Sequence, residues 1–373
     1  MGSIADELAT IPYFRRVQQR ELAKAAGLWT STSLAPGEVM WAQGEAVAEI
    51  GVLIFGELAA LVDGHEVGRV LPPEIIGEAS AFFAGSQRSA TLRAKKSSQM
   101  LTLPVTGLRT LRWQRSALYE ALLEQALLAL VRRVRATDLK IAQVARGDAA
   151  APARSEPSAL VRLWKALRPG GPTTKVPSIE PLLLQQPGLR DLSPEDAEAL
   201  ASAFVPEPMS EGQIVFLEGD EGSAMYVVAD GQIDVLRHVR GERAELLASL
   251  RAGHQFGANT LVEKGARTAS CVASTPGWLY RMDAEAFSGL KGNVRLVWRE
   301  SVLATLATQI RNANAALNKA SGGSRTSAAR EDGFKELLKA SGYLEGLRVD
   351  DAQLDQMEVV IDEDQKRNPK NRR

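Results

Sequence analysis

Two textures of apolar and polar positions alternate along the chain, and each occurs twice. Residues 1–28 place Leu8, Ile11, Phe14, Leu22 and Ala25 at helical spacing. From 29 to 113 the apolar runs are short. They are broken by Pro36-Gly37, Gly44, Gly56, Asp63-Gly64, Pro72-Pro73 and Gly85, a pattern of short strands in a barrel or sandwich. A helical rhythm resumes over 116–145, where Leu118, Leu122, Leu127, Leu130, Val134, Ile141 and Val144 keep a 3-to-4 spacing or its multiples. Ser193-Pro194 then reads as an N-cap followed by a proline at the first helical position. Residues 205–283 return to short strands and turns. The stretch 284–320 reads as one helix, with Leu296, Leu303, Leu306, Ile310, Ala313 and Leu317 at a and d heptad positions.

The order helix, short strands, long helix therefore predicts an α+β unit in tandem. Between the copies, residues 147–179 are rich in proline and glycine, as a linker is. Inside the linker, 159–167 forms an amphipathic island with Leu160, Leu163, Trp164 and Leu167 on one face. This island is read as a linker helix packed on a barrel, or as a docking helix for a partner. The expected division is 1–146 for the first unit, 147–179 for the linker, 180–320 for the second unit and 321–373 for a polar, disordered tail.

Composition narrows the function. The chain of 373 residues holds 45 Lys and Arg against 45 Asp and Glu. Zero net charge argues against a globally basic nucleic-acid binder. One cysteine, Cys271, excludes an intramolecular disulfide, and three histidines with one cysteine make a metal cage improbable. No run approaches the ~20 apolar residues of a membrane span. A cytoplasmic protein without membrane insertion, metal or cofactor is expected. Cys271 itself, in Ser-Cys-Val-Ala, reads as a buried inert thiol.

The two strand regions align by their glycines. Gly37 to Gly44 and Gly212 to Gly219 are both seven residues; Gly44 to Gly56 and Gly219 to Gly231 are both twelve. Downstream, each repeat has a glycine, a short turn and an arginine. The first is Gly77-Glu78-Ala79-Ser80 leading to Arg88-Ser89, and the second is Gly257-Ala258-Asn259 leading to Arg267-Thr268. Backbone amides of a short turn and a guanidinium suit an anion, the latter by a charge-assisted hydrogen bond.

On these motifs the chain resembles the cyclic-nucleotide-binding domain family, over about 8–145 and 180–320. Members include the catabolite activator protein and the regulatory subunits of cyclic-AMP-dependent protein kinase. The resemblance implies two jelly-roll-like barrels flanked by helices. It also implies a cyclic mononucleotide ligand, cyclic AMP placed ahead of cyclic GMP, and no catalysis. In the first repeat it implies Arg88 on the phosphate and Glu78 on the ribose 2′-hydroxyl. Gly77 would give close backbone approach, with Ala79, Ser80 and Ser89 beside it. In the second repeat Gly257, Arg267 and Thr268 remain, with Asn259 beside them in a doubtful site, but Ala258 stands where the family has Glu. Pro73-Glu74 likewise replaces the usual Pro-Gly turn before the first cassette.

The resulting expectation is a cyclic-nucleotide-responsive regulator with a degenerate second site. It would signal through an unidentified protein partner and not through DNA, with self-association through helix 296–317 as an option. The alternative is a scaffold that kept the barrels and lost ligand control.

Overall fold

A computed structural model of the chain describes residues 3–82, 87–146, 175–186, 188–190, 192–238 and 244–322. The first helical stretch is divided into α1 (Ile4–Thr10), a 3-10 turn (Pro12–Phe14) and α2 (Gln19–Ala26), because Pro12 has no amide with which to continue α1. Its apolar stripe is as expected, with Leu8, Ile11, Phe14, Leu22 and Ala25 all buried.

Eight strands follow: β1 (Thr30–Leu34), β2 (Val39–Trp41), β3 (Glu49–Phe55), β4 (Leu58–Val62), β5 (His65–Val70), β6 (Ile75–Ile76), β7 (Thr91–Ala94) and β8 (Ser98–Pro104). The short helix α3 (Glu78–Ala81) lies between β6 and β7. Two antiparallel four-stranded sheets result, ordered β1-β8-β3-β6 and β2-β7-β4-β5. Leu34, Trp41, Leu53, Leu58, Leu92 and Met100 fill the space between them. Then come α4 (Val105–Trp113) and α5 (Ala117–Arg146). Helix α4 falls inside the stretch read as strands. It buries Leu108 and Leu111, whose spacing of three fits a helical turn and not strand alternation.

The second repeat opens with α6 (Glu180–Leu183) and α7 (Pro194–Ala201). Ser193 accepts from Asp196 N at 3.1 Å, the cap that the sequence announces. Its strands are β9 (Val205–Met209), β10 (Ile214–Phe216), β11 (Glu221–Gly222), β12 (Ala224–Asp230), β13 (Ile233–His238), β14 (Ala244–Leu250) and β15 (Gln255–Phe256). After α8 (Ala258–Val262) come β16 (Gly265–Ala266), β17 (Ser270–Ala273) and β18 (Gly277–Asp283), and then α9 (Ala284–Gly289) and α10 (Gly292–Gly322). Sheets ordered β9-β18-β12-β15 and β10-β17-β13-β14 reproduce the first repeat strand for strand, and the pair β11–β16 corresponds to the isolated bridge between Ala46 and Gln87.

The repeats also share their irregularities. Register breaks fall at Val39/Trp41, Leu53/Phe55 and Ala60/Leu61 in one, and at Ile214/Phe216, Val228/Asp230 and Val235/Leu236 in the other. The six aligned glycines, 37, 44, 56, 212, 219 and 231, all have positive φ. The equal intervals therefore record equal turns. Two jelly-roll-like sandwiches flanked by helices make up the expected α+β fold.

The expected single helix over 284–320 is two helices, divided at Leu290; Gly292 opens the second at φ 55°. Helices α5 and α10 pack along each other and join the repeats into one core. That core includes Leu118, Leu122 and Leu130 from one helix and Trp298, Leu303 and Leu306 from the other. Arg112 and Tyr119 of the first repeat both donate to Glu300, with Arg112 Nε at 2.7 Å, and Arg295 reaches back to Glu120. Leu296, Leu303, Leu306 and Ile310, the heptad face offered for self-association, are thus buried inside the chain. The side chains of Ala313 and Leu317, the island 159–167 and the tail beyond 322 lie outside the described residues.

Candidate functional site

In the first repeat the site is built from the turn after β6. Gly77 sits at φ +83° against the barrel wall. A Cβ there would lie 2.5 Å from Arg88 Nη1 and 3.2 Å from the Trp41 ring. Only glycine meets both demands, left-handed backbone and close approach. Arg88 is fixed through its own backbone: its amide donates to Glu45 O at 2.8 Å, and its carbonyl accepts from Gly44 N at 2.9 Å. The turn at Gly44-Glu45 therefore holds the arginine in place.

The Arg88 guanidinium is 5% exposed as a residue and lies over the Trp41 ring, 3.5 Å from its centroid. Nη2 donates to Glu49 O at 2.7 Å, whereas Nε and Nη1 have no partner among the described residues. The ring is itself held, as Trp41 Nε1 donates to Glu49 Oε1 at 2.9 Å. Burial pushes the Arg88 pKa down to about 10, so it remains a cation at neutral pH, while two of its three nitrogens lack an acceptor.

Glu78, the first residue of α3, is fully buried. Its Oε1 accepts from Arg133 Nη1 of α5, while Oε2 is unpartnered among the described residues. Arg133 Nη2 also donates to Glu74 at 2.9 Å. Burial raises the Glu78 carboxyl above the ordinary carboxylate range, opposed by the Arg133 guanidinium. A cavity of about 600 Å³ opens between these groups, with Trp41, Glu78, Arg88, Ser89 and Thr137 in its wall. Ile310 of α10 also lines it, so the second repeat contributes to the first repeat's cavity. Ala79 and Ser80 lie on α3 beside Glu78; their side chains are outside the described residues.

The second repeat repeats the frame. Arg267 N donates to Asp220 O and its carbonyl accepts from Gly219 N, both at 2.9 Å. Its guanidinium lies 4.0 Å from the Phe216 centroid. Nη2 donates to Ala224 O at 2.8 Å and Nη1 to Gly257 O at 3.1 Å. Gly257, at φ +79°, would bring a Cβ to 2.6 Å from Arg267 Nη1. Ala258, Asn259, Arg267 and Thr268 line a cavity of about 260 Å³. Among the described residues no carboxylate takes the place of Glu78 there. Glu263, at the end of α8, faces the other way: Arg132 Nε donates to it at 2.9 Å and Arg135 Nη1 at 3.1 Å, both from α5. One turn of α5 thus holds both cassettes, Arg133 the first and Arg132 with Arg135 the second. Cys271 is buried as expected, with its thiol pKa raised by burial.

Four participants escape the motif reading. Trp41 and Phe216 each stand four residues after the first aligned glycine, so the same glycine register holds the signal for both aromatic floors. Arg133 and Ile310 have no local signal, because helix packing alone brings them to the cavity. Among the described residues no cluster of three or more His, Cys, Asp or Glu could hold a metal, and no helix is long and apolar enough to cross a membrane.

Parts of the chain are similar to known proteins. The model of the cyclic nucleotide-binding domain matches residues 31–114 and 206–292. The Cyclic AMP receptor protein of Thermus thermophilus is 32% identical over 132 residues, 35% of this chain and 61% of that protein. A cAMP-dependent protein kinase regulatory subunit of Schizosaccharomyces pombe is 30% identical over 31% of this chain and 27% of its own length. Each match spans less than two thirds of the relative. The solved regulatory domain of Toxoplasma gondii PKA with cAMP is matched over 79% of this chain and 94% of that one, at 16% identity and a TM-score of 0.29. The cyclic nucleotide-binding domain is thus matched twice along the chain, and both matched regions are built on one frame.

Proposed function

We propose that the chain is a cytoplasmic regulatory protein that binds a cyclic mononucleotide, cyclic AMP ahead of cyclic GMP, in its first repeat. The observation that carries this reading is a pair of buried, opposite charges with unused bonding capacity facing one cavity. Arg88 has Nε and Nη1 free for a phosphate, and Glu78 has Oε2 free for a ribose hydroxyl. A cyclic phosphate has one negative charge, which offsets the desolvation of Arg88. The ribose hydroxyl would complete the bonding of Glu78. Gly77 lets the ligand approach the backbone, and Ser89 adds a hydroxyl at the rim.

The response follows from Arg133. A ligand at Glu78 changes the partner that this carboxylate presents to α5, and α5 is packed along α10. The signal would thus leave the first cavity through the helix pair that joins the repeats, toward a protein partner. Among the described residues after the second barrel stand only α9 and α10, with α10 packed on α5, so no DNA-reading element is proposed.

A second reading, a scaffold without ligand control, is favoured by Ala258 and by the fact that Arg133 already occupies one oxygen of Glu78. Calorimetric titration with cyclic AMP and cyclic GMP decides between them. Arg88→Ala should lower affinity roughly tenfold to 150-fold, the worth of a charged hydrogen bond of about 1.5–3 kcal/mol. Equal binding by the parent and Arg88→Ala, or none by the parent, would overturn the receptor reading.

A further inference from the structure

We infer that the second repeat holds a separate site for a small aromatic anion, recognised without any ribose hydroxyl. The inference rests on the reading of the cassette as an anion cradle. It differs from that reading in the ligand that the cradle takes.

Arg267 is 6% exposed and forms no ion pair with a carboxylate among the described residues. Its two Nη groups go to backbone carbonyls, and Nε has no partner among the described residues. Burial lowers its pKa, so the environment disfavours the cation it carries. A buried charge without a counter-charge is costly, and an anion in the adjoining cavity would remove that cost.

The cavity wall specifies the rest of the ligand. No Asp or Glu is among its lining residues in the described part of the chain, whereas the first cavity has Glu74 and Glu78. Besides Arg267 and His254, its polar side chains are amides and hydroxyls, Asn259, Thr268 and Gln309 among them. Phe216 and Phe256 also line it, with ring centroids 5.9 Å apart, a surface that suits a flat apolar body. At about 260 Å³ it is less than half the first cavity of about 600 Å³. A carboxylate or phosphate on an aromatic ring matches this wall. Ala258 cannot accept from a sugar hydroxyl, so the carboxylate contact that would select one is missing at this position.

The test uses the full chain with Arg88→Ala, which removes the first site's anion contact. Benzoate and phenyl phosphate are titrated as carboxylate and phosphate probes, and cyclic AMP is compared with its 2′-deoxy form. At least one aromatic anion should bind, and Arg88→Ala/Arg267→Ala should weaken it at least tenfold. Cyclic AMP and 2′-deoxy-cyclic AMP should differ by less than about twofold. If the double variant fails to fold, Arg88→Ala/Ala258→Glu serves instead: the new carboxylate should weaken the aromatic anion and favour cyclic AMP over its 2′-deoxy form. No binding of either aromatic probe, or a tenfold preference for the 2′-hydroxyl in Arg88→Ala, would overturn the inference. Titrating Arg267→Ala alone with cyclic AMP examines the first repeat separately, so either reading can fail without the other.

Discussion

The two cassettes differ by one carboxylate set on almost the same frame. Each has a left-handed glycine pressed on an arginine, an aromatic floor and a carbonyl from the strand behind. Arg88 donates to Glu49 O at 2.7 Å over Trp41, and Arg267 to Ala224 O at 2.8 Å over Phe216. In the first, Glu78 faces the cavity and is held by Arg133. In the second the corresponding residue is Ala258, and the nearby acid, Glu263, is engaged by Arg132 and Arg135. The frame is thus separable from the recognition chemistry. Backbone turns and glycines keep the arginine in place whether or not the ribose acceptor is present.

That separation can be broken at the frame. Gly77→Ala puts a Cβ 2.5 Å from Arg88 Nη1 at φ +83°, where a left-handed backbone alone costs about 1–2 kcal/mol. Cyclic-nucleotide affinity should drop at least tenfold and the melting temperature should fall. Gly257→Ala, 2.6 Å from Arg267 Nη1, should lower the melting temperature too, but leave cyclic-nucleotide affinity at the first cavity within about twofold of the parent. Equal loss of affinity from both would show that the cassettes are not independent frames.

It can be sharpened at the chemistry. Ala258→Glu supplies the missing acceptor and should raise cyclic-AMP affinity at the second cavity by roughly tenfold, read by titration in the Arg88→Ala background. No gain would mean that the frames differ by more than this carboxylate. The smallest effect belongs to the helix that holds both. Arg132→Ala/Arg135→Ala removes two ion pairs to the Glu263 carboxylate, whose partners are 66% and 22% exposed, and one hydrogen bond to its carbonyl, so urea unfolding should show a loss of about 1–2 kcal/mol. A loss of several kcal/mol would make this contact a principal joint between the repeats.

The frame was the legible part of the chain. Glycine intervals fix turns, turns fix where Arg88 and Arg267 stand, and all of that is local in sequence. The division of the first helical stretch was missed because spacing over 1–28 tolerates a break at Pro12 without changing which residues are buried. The division at Leu290 was missed similarly, since apolar spacing resumes in phase. Helix α4 was hidden by its neighbours, where short apolar runs continue from β8. The partners of Glu78 and Glu263 were out of reach for a different reason. Arg132, Arg133 and Arg135 read as an ordinary polar helix face, and only the packing of α5 between two cassettes shows that they point to opposite acids. The buried heptad face shows the same limit: periodicity marked Leu303 and Leu306 as a contact surface, but not that the partner would be a helix of the same chain.

The pairing of α5 with α10 has a consequence for dose and dilution. When two sensor units meet as separate molecules, the fraction paired depends on their concentration, and dilution releases one from the other. Here the two helices belong to one polypeptide, and each sees the other at an effective concentration set by the connecting segment. Contact between the repeats therefore stays at one-to-one however few molecules are present, and the midpoint of a ligand response carried by this helix pair should not shift with the amount of protein.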